Sequence, residues 1–213
     1  MMKESTDSAF KRFFRRIPLQ SRSRAVVRAL VEALDERLRQ GEDPSTLPVD
    51  RLAKRAGVGV GSFYEYFAGK DALLGTLIGQ ITRENFAKLL HGVPQNGASL
   101  EAVVEKVADA TTHTYLEHPA RTRIVIAGIA RLGLIEVITA ERDRFSDELA
   151  RAALPFRPRW PEEVLAARMR AVSDAAMGII TAELYRASPR SPERIVSLLV
   201  STAVAMLPPE PPL

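Results

Sequence analysis

The run Leu47 to Asp71, LPVDRLAKRAGVGVGSFYEYFAGKD, holds two short helical stretches, at 49–55 and 60–66, parted by a tight turn. Pro48 stands where a helix can begin. Ala56-Gly57-Val58 puts glycine where the chain must reverse, a place where positive φ is cheap only for that residue. Two short helices joined in this way form a helix-turn-helix, whose second helix enters a DNA groove. Leu52, Ala53, Ala56 and Val58 give the first stretch and the turn an apolar side. Val60-Gly61-Ser62 open the second stretch with small side chains, which let a helix end approach base edges and phosphates. Of the aromatics that follow, Phe63 and Phe67 lie at i and i+4 and are expected in the core, whereas Tyr64 and Tyr66 are expected to point outward. A tyrosine hydroxyl, or Lys70 at the next helix start, suits a phosphate oxygen. The competing reading is a buried helical hairpin. It explains Phe63 and Phe67, but not the turn, the small residues and the flanking charge together.

Outward from this run the pattern stays helical. Alternating apolar and polar strand patterns are missing, and no repeat of fixed period occurs. Val26, Ala29, Leu30, Ala33, Leu34 and Leu38 recur at spacings of three and four, predicting a helix over 21–40 that ends at Gly41. Lys70 opens a longer helix to about Leu90, and the Gly-, Pro- and Asn-containing stretch 91–98 reads as a joint. Further helices are expected over 100–117 with Ser99 as N-cap, 119–131, 134–153, 161–186 and 192–206, and the tail PPEPPL cannot continue the last. The fold class is therefore all-α: a three-helix head at 21–75, preceded by a basic flexible arm at 1–20 and followed by a larger helical domain at 76–213.

Composition narrows the function. The chain has 213 residues, 46% hydrophobic and 26% charged, and no cysteine, which excludes disulfides, zinc-thiolate sites and cysteine nucleophiles. No apolar run is long enough for a transmembrane helix and the N-terminus lacks a signal-peptide pattern, so a cytoplasmic location is expected. The net charge of +4 is unevenly spread: eight Lys/Arg stand against Glu4 and Asp7 in residues 1–31, whereas residues 91–213 sum to −1. A basic end on a near-neutral body suits a polyanion, although a solvated tail has the same charge.

The run Leu52-Ala53-x-x-Ala56-Gly57-Val58-x-x-Gly61-Ser62-Phe63-Tyr64-x-Tyr66-Phe67-x-x-Lys70-Asp71-x-Leu73 resembles the signature of the tetracycline-repressor (TetR/AcrR) family. The likeness is specific over about 21–75, and beyond it only the architecture matches. It implies a homodimeric repressor with heads in successive major grooves. It also implies that Val60, Gly61, Ser62, Tyr64, Tyr66 and Lys70 occupy DNA-contact positions, with Arg24 and Arg51 as further contacts. The sequence departs from the pattern where Gly59 replaces the usual Ser or Thr N-cap, where Pro48 replaces a threonine, and in a slightly long loop at 41–48.

In the larger domain, Asp109 and His113 share a helix face, with Glu117 and His118 following. These spacings make no convincing metal cluster, and solvated side chains account for them. Neither a phosphate loop preceded by a strand nor a nucleophile elbow occurs, so no enzyme, no cofactor and no metal is expected. The apolar stretch Ile124–Ile129 suggests a buried helix beside an apolar ligand cavity, whose lining is assigned to Thr112, His113, Tyr115 and Met169. The small residues Ala171, Ala175, Ala176, Gly178 and Ile179, with the stripe Ile195, Leu198, Leu199, Ala203 and Met206, suggest a dimer surface. The partners expected are double-stranded operator DNA, a small apolar effector and a second copy of the chain, with no membrane. The alternative function is a helical protein-interaction module that does not touch DNA.

Overall fold

The computed structural model describes residues 9–91, 99–157 and 159–207. Of the joint expected at 91–98, His91 ends a helix and residues 92–98 fall outside the described residues, as does the proline-rich tail at 208–213. Among the described residues the chain forms nine α-helices: α1 (Ser21–Arg39), α2 (Val49–Arg55), α3 (Val60–Tyr66), α4 (Lys70–His91), α5 (Leu100–Leu116), α6 (Pro119–Arg131), α7 (Ile135–Ala153), α8 (Glu162–Leu184) and α9 (Pro192–Met206). A 3-10 turn at Leu154–Phe156 follows α7. The periodicity and the Gly and Pro punctuation thus place every helix to within about two residues.

The helices gather into two compact units that do not follow chain order. The first takes residues 9–83 together with His118–Ile138, and the second takes Glu84–Glu117 with 139–207. In the first unit, α1 is the central post. Leu30, Leu34 and Leu38, one turn apart, are fully buried among Leu47, Leu52, Phe63, Phe67, Leu73 and Ile78. Burial of such side chains is worth roughly 1.5–3 kcal/mol each, and this is what holds the short α2 and α3 in place. Helix α6 joins this core rather than the larger domain. Its Gly128 makes the close approach possible, because a Cβ there would lie 3.0 Å from Ile78 Cδ1 and 3.2 Å from Leu74 Cδ2. Arg121 and Arg131 on α6 pair with Asp35 and Asp71. The expectation of a helix buried on all sides at 124–129 is corrected here. Val125 and Gly128 are buried, but Ala127 is exposed, since a helix docked by one face leaves the other to water.

The flexible arm is also corrected for its described part. Residues 9–11 form a helical turn, Phe10 is buried, and Phe13 and Phe14 pack on the same core. Three aromatics within five residues carry more apolar surface than an arm can leave in water.

In the second unit, α9 packs on α5 and α8. Ser99 caps α5 as expected, accepting from the Ala102 amide at 3.2 Å. Phe86 and Phe145 stack at 5.1 Å. Ile195, Leu199 and Ala203, read from sequence as dimer surface, are instead buried within the unit. The apolar stripe of α9 serves its own subunit first.

Glu183, near the end of α8, is a buried carboxylate with three partners. It accepts from the Arg190 amide and from Arg186 Nε, each at 3.0 Å, and it pairs with the Arg190 guanidinium. Burial alone would raise its pKa, but the Arg190 amide and the two guanidinium groups outweigh burial and hold it below the ordinary 4.5. The group therefore stabilises the fold above its ordinary pKa, and that contribution is lost as pH falls through the lower folded value. Glu183→Gln is expected to cost about 1–3 kcal/mol at neutral pH in urea unfolding. The gap to the wild type should close only under acid.

Candidate nucleic-acid interface

The turn between α2 and α3 is closed by the backbone itself. Val58 N–H donates to Ala53 O at 3.0 Å and Gly57 N–H to Lys54 O at 3.1 Å, with Gly57 at φ +69°. This pair of bonds is a Schellman closure. It satisfies carbonyls that the end of α2 would otherwise leave orphaned, and it needs a residue at ease in the left-handed region. Helix α3 then starts from Gly59, whose extended backbone provides no side-chain cap.

The accessible surface of α3 follows from the helical phase. Phe63 and Phe67 are fully buried, 5.8 Å apart between ring centroids, and fix α3 to the core. Val60, Gly61 and Tyr64 are exposed and Ser62 is half-buried, so these four share the accessible side of α3. Tyr66 does not point outward. It is only 6% exposed, because at i+3 from Phe63 it falls on the buried face. The sequence reading of Tyr66 as outward-facing is thus overturned by helical spacing alone.

Among the described residues Gly61 has no internal justification, and Gly59 has only the ordinary acceptability of glycine as an N-cap. Among the described residues no atom lies within 4 Å of the Cβ that either would carry, and neither has a positive φ, so none of them prevents a side chain at these places.

The predicted cations are placed less simply. Arg24 Nη1 donates to Leu19 O at 2.7 Å, Arg51 pairs with Glu42 at 3.3 Å, and the Lys70 ammonium donates to the Ser45 carbonyl. Arg55 forms a two-point pair with Glu36, whose pKa is lowered by that hydrogen bond. Arg22 was not singled out by the sequence. It is exposed at the start of α1 and lines a groove of about 390 Å³ with Ser62, Glu65 and Tyr66 of α3. Among the described residues it has no hydrogen-bond or ion-pair partner. Its signal in the sequence was only membership of the basic run.

In the second unit, an apolar cavity of about 70 Å³ lies among α5, α7, α8 and α9. Met169 lines it as expected, but Thr112, His113 and Tyr115 do not. Thr112 is buried with its hydroxyl donating to Ala108 O at 2.9 Å, His113 is exposed beside Asp109, and the Tyr115 hydroxyl, withdrawn from water, is bonded to Asn85. Withdrawal from water raises the Tyr115 pKa. The polar lining is Thr111, and its hydroxyl is already donated to Val107 O at 2.7 Å. Among the described residues no group of three or more His, Asp or Glu could hold a metal ion, and no helix is long and apolar enough to cross a membrane.

Residues 37–77 match the family model for bacterial regulatory proteins of the tetR family. Solved structures of similar fold include a TetR transcriptional regulator from Rhodococcus sp. RHA1, at 22% identity and TM-score 0.58, covering 86% of this chain and 96% of that one. Another, from Mesorhizobium loti MAFF303099 and described as a TetR-family regulator, aligns at TM-score 0.69 and 15% identity over 88% and 98% of the two chains. SmeT, the repressor of the Stenotrophomonas maltophilia multidrug efflux pump SmeDEF, aligns at TM-score 0.60 and 12% identity over 84% and 88%. The chain has the fold of TetR-family transcriptional regulators, with that family's helix-turn-helix in its head.

The glycines of this segment should respond oppositely to alanine. Gly57→Ala is expected to cost about 1–2 kcal/mol, because its left-handed backbone is forced on a Cβ. Gly61→Ala should leave stability unchanged or raise it by up to about 1 kcal/mol, as helix propensity dictates. Urea midpoints of the two variants check both signs.

Proposed function

We propose that the chain is a transcriptional regulator that binds operator DNA as a homodimer through α3 and is released by a small, uncharged, apolar effector. The observation that carries the DNA reading is the pair Gly59 and Gly61. Two exposed glycines at a helix start, Gly59 at the N-cap and Gly61 with no packing or backbone reason among the described residues, are explained if the partner comes so close that side chains would obstruct it. Backbone amides of that helix start then face phosphates, with Tyr64, Arg22 and Lys70 beside them. Lys70 has two further ammonium protons to offer while it holds Ser45. With so little side chain at 59–62, discrimination between operators rests largely on DNA shape.

The outward faces of α8 and α9 support the homodimer. Ala167, Ser201 and Ala205 are small and exposed, Ala171 is small and half-exposed, and Gly178 is exposed with open space around it among the described residues. Small residues on two adjacent helices allow the close two-fold packing of a four-helix interface. Two heads spaced about 34–36 Å apart would reach successive major grooves.

The effector class follows from the cavity's chemistry. The lining offers no free donor and no charge, so a charged ligand would meet desolvation without compensation. At about 70 Å³ the cavity is smaller than the roughly 150 Å³ void known to admit benzene, so any larger ligand must spread α5, α8 and α9. A ligand favouring the spread state shifts the population towards it, and α4, continuous from the head into the second unit, is the natural lever.

Operator DNA selected from a random pool tests the first part. Gly61→Leu should fold as well as the wild type yet bind the selected site about tenfold or more weakly. Equal affinity in that variant would remove the close-approach argument. For the second part, neutral hydrocarbon-chain compounds should raise the melting temperature by mass action, whereas their carboxylate counterparts should not. A larger shift with the carboxylates would refute the apolar assignment.

A further inference from the structure

Residues 9–16 make more contacts to the recognition helix and its supports than a solvated basic arm would require. Phe10 and Phe13 lie over Gly79 and Gly75, one turn apart on α4. A Cβ at Gly79 would come within 2.6 Å of the Phe10 ring, and one at Gly75 within 2.5 Å of the Phe13 ring. Neither glycine has a positive φ, so the rings supply the reason for two glycines inside a helix, where alanine would otherwise serve better. Phe14 then reaches Phe67, with ring centroids 5.5 Å apart, and forms an isolated antiparallel bridge with it.

Arg12, Arg15 and Arg16 of this segment are exposed, yet each is bonded to the protein. Arg15 N–H donates to Tyr66 O at 2.8 Å and its guanidinium to Tyr64 O at 3.3 Å, taking carbonyls that the last turn of α3 leaves without helical partners. Arg16 pairs with Glu65 at 2.5 Å. Arg12 sits 5.0 Å over the Phe13 ring and donates to Leu132 O at 2.7 Å, after the end of α6.

We propose that residues 9–16 are a clasp that positions the recognition helix. Its aromatic side is seated in the two-glycine notch of α4, Arg15 and Arg16 grip the C-terminal turn of α3, and Arg12 ties the segment to the chain after α6. The segment serves DNA binding through geometry rather than through its charge. Its functional consequence rests on the reading of α3 as the DNA-contacting helix, but the clasp itself does not. The need for it is physical. Helix α3 has seven residues, far below the length at which a helix holds itself in water, and Gly59 gives it no side-chain cap. Arg12, Arg15 and Arg16 are positioning residues. Phosphate contact is left to cations outside the clasp, Arg22 among them.

The test uses the full chain. Phe10→Ala/Phe13→Ala, which leaves every charge in place, should speed amide hydrogen exchange at residues 60–67 by about tenfold or more while exchange in α5 and α9 stays as in the wild type. Phe13→Ala alone is the milder version if the double variant does not fold. Affinity for a selected operator should fall in parallel, with the slope of log affinity against log salt unchanged. Arg16→Gln should weaken binding at constant slope, and Arg16→Lys should restore it. Unchanged exchange at 60–67 would overturn the clasp. So would a slope that drops by about one for each clasp arginine removed, since that marks a phosphate contact. Faster exchange in a protein whose wild type binds no duplex would support the clasp and sink the DNA reading alone.

Discussion

A seven-residue helix cannot hold its own shape in water, and the first unit is organised around that constraint. Helix α3 gains one intrahelical bond per added residue only after a costly first turn, so its conformation must come from packing. Phe63, Tyr66 and Phe67 supply that packing from one face, against α1 and α4. The Schellman closure at Gly57 fixes the angle at which α3 leaves α2, and the segment 9–16 closes the other end. The exposed face is then left with almost nothing but small residues. A helix held from behind at both ends can present its backbone to a partner, which a helix stabilised by its own capping side chains could not do as closely.

How much of this was legible in the sequence depended on whether the determinant was local. The helix boundaries were, because Pro48, Gly57, Ser99, Pro119 and Gly133 are strong local signals. The helix-turn-helix was too, because turn, small residues and aromatics fall within 25 residues. Tyr66 was misplaced by reading the aromatics as two pairs, when i, i+3 spacing from Phe63 already assigned it to the core. The arm was misread because its charge is conspicuous and its aromatics are not periodic. Their receptor, Gly75 and Gly79, lies some 65 residues away, and only the fold brings the two together. Helix α6 was assigned to the larger domain by chain order, whereas Gly128 lets it dock on Leu74 and Ile78.

The second unit teaches a related lesson about polar residues in apolar places. Thr111 and Thr112 each donate their hydroxyl to the carbonyl four residues back. A threonine on a helix can therefore sit against a cavity without offering it a donor. The sequence pointed to Thr112, His113 and Tyr115 as polar lining. The helical phase, however, turns Thr111 toward the cavity and leaves His113 exposed. Ile195, Leu199 and Ala203 show the same ambiguity for apolar groups. A stripe can be read as core or as interface, and burial within the unit settles that it is core. The proposed homodimer is left with the opposite, small-residue side of α8 and α9.

The central claim is that the head engages the phosphate backbone of duplex DNA, and the salt dependence of wild-type binding to a random-sequence duplex tests it most directly. The account predicts an affinity that falls steeply and linearly in log–log form as salt rises, with a slope set by several displaced counterions. Binding that is absent at low salt, or that does not change with salt, would contradict it.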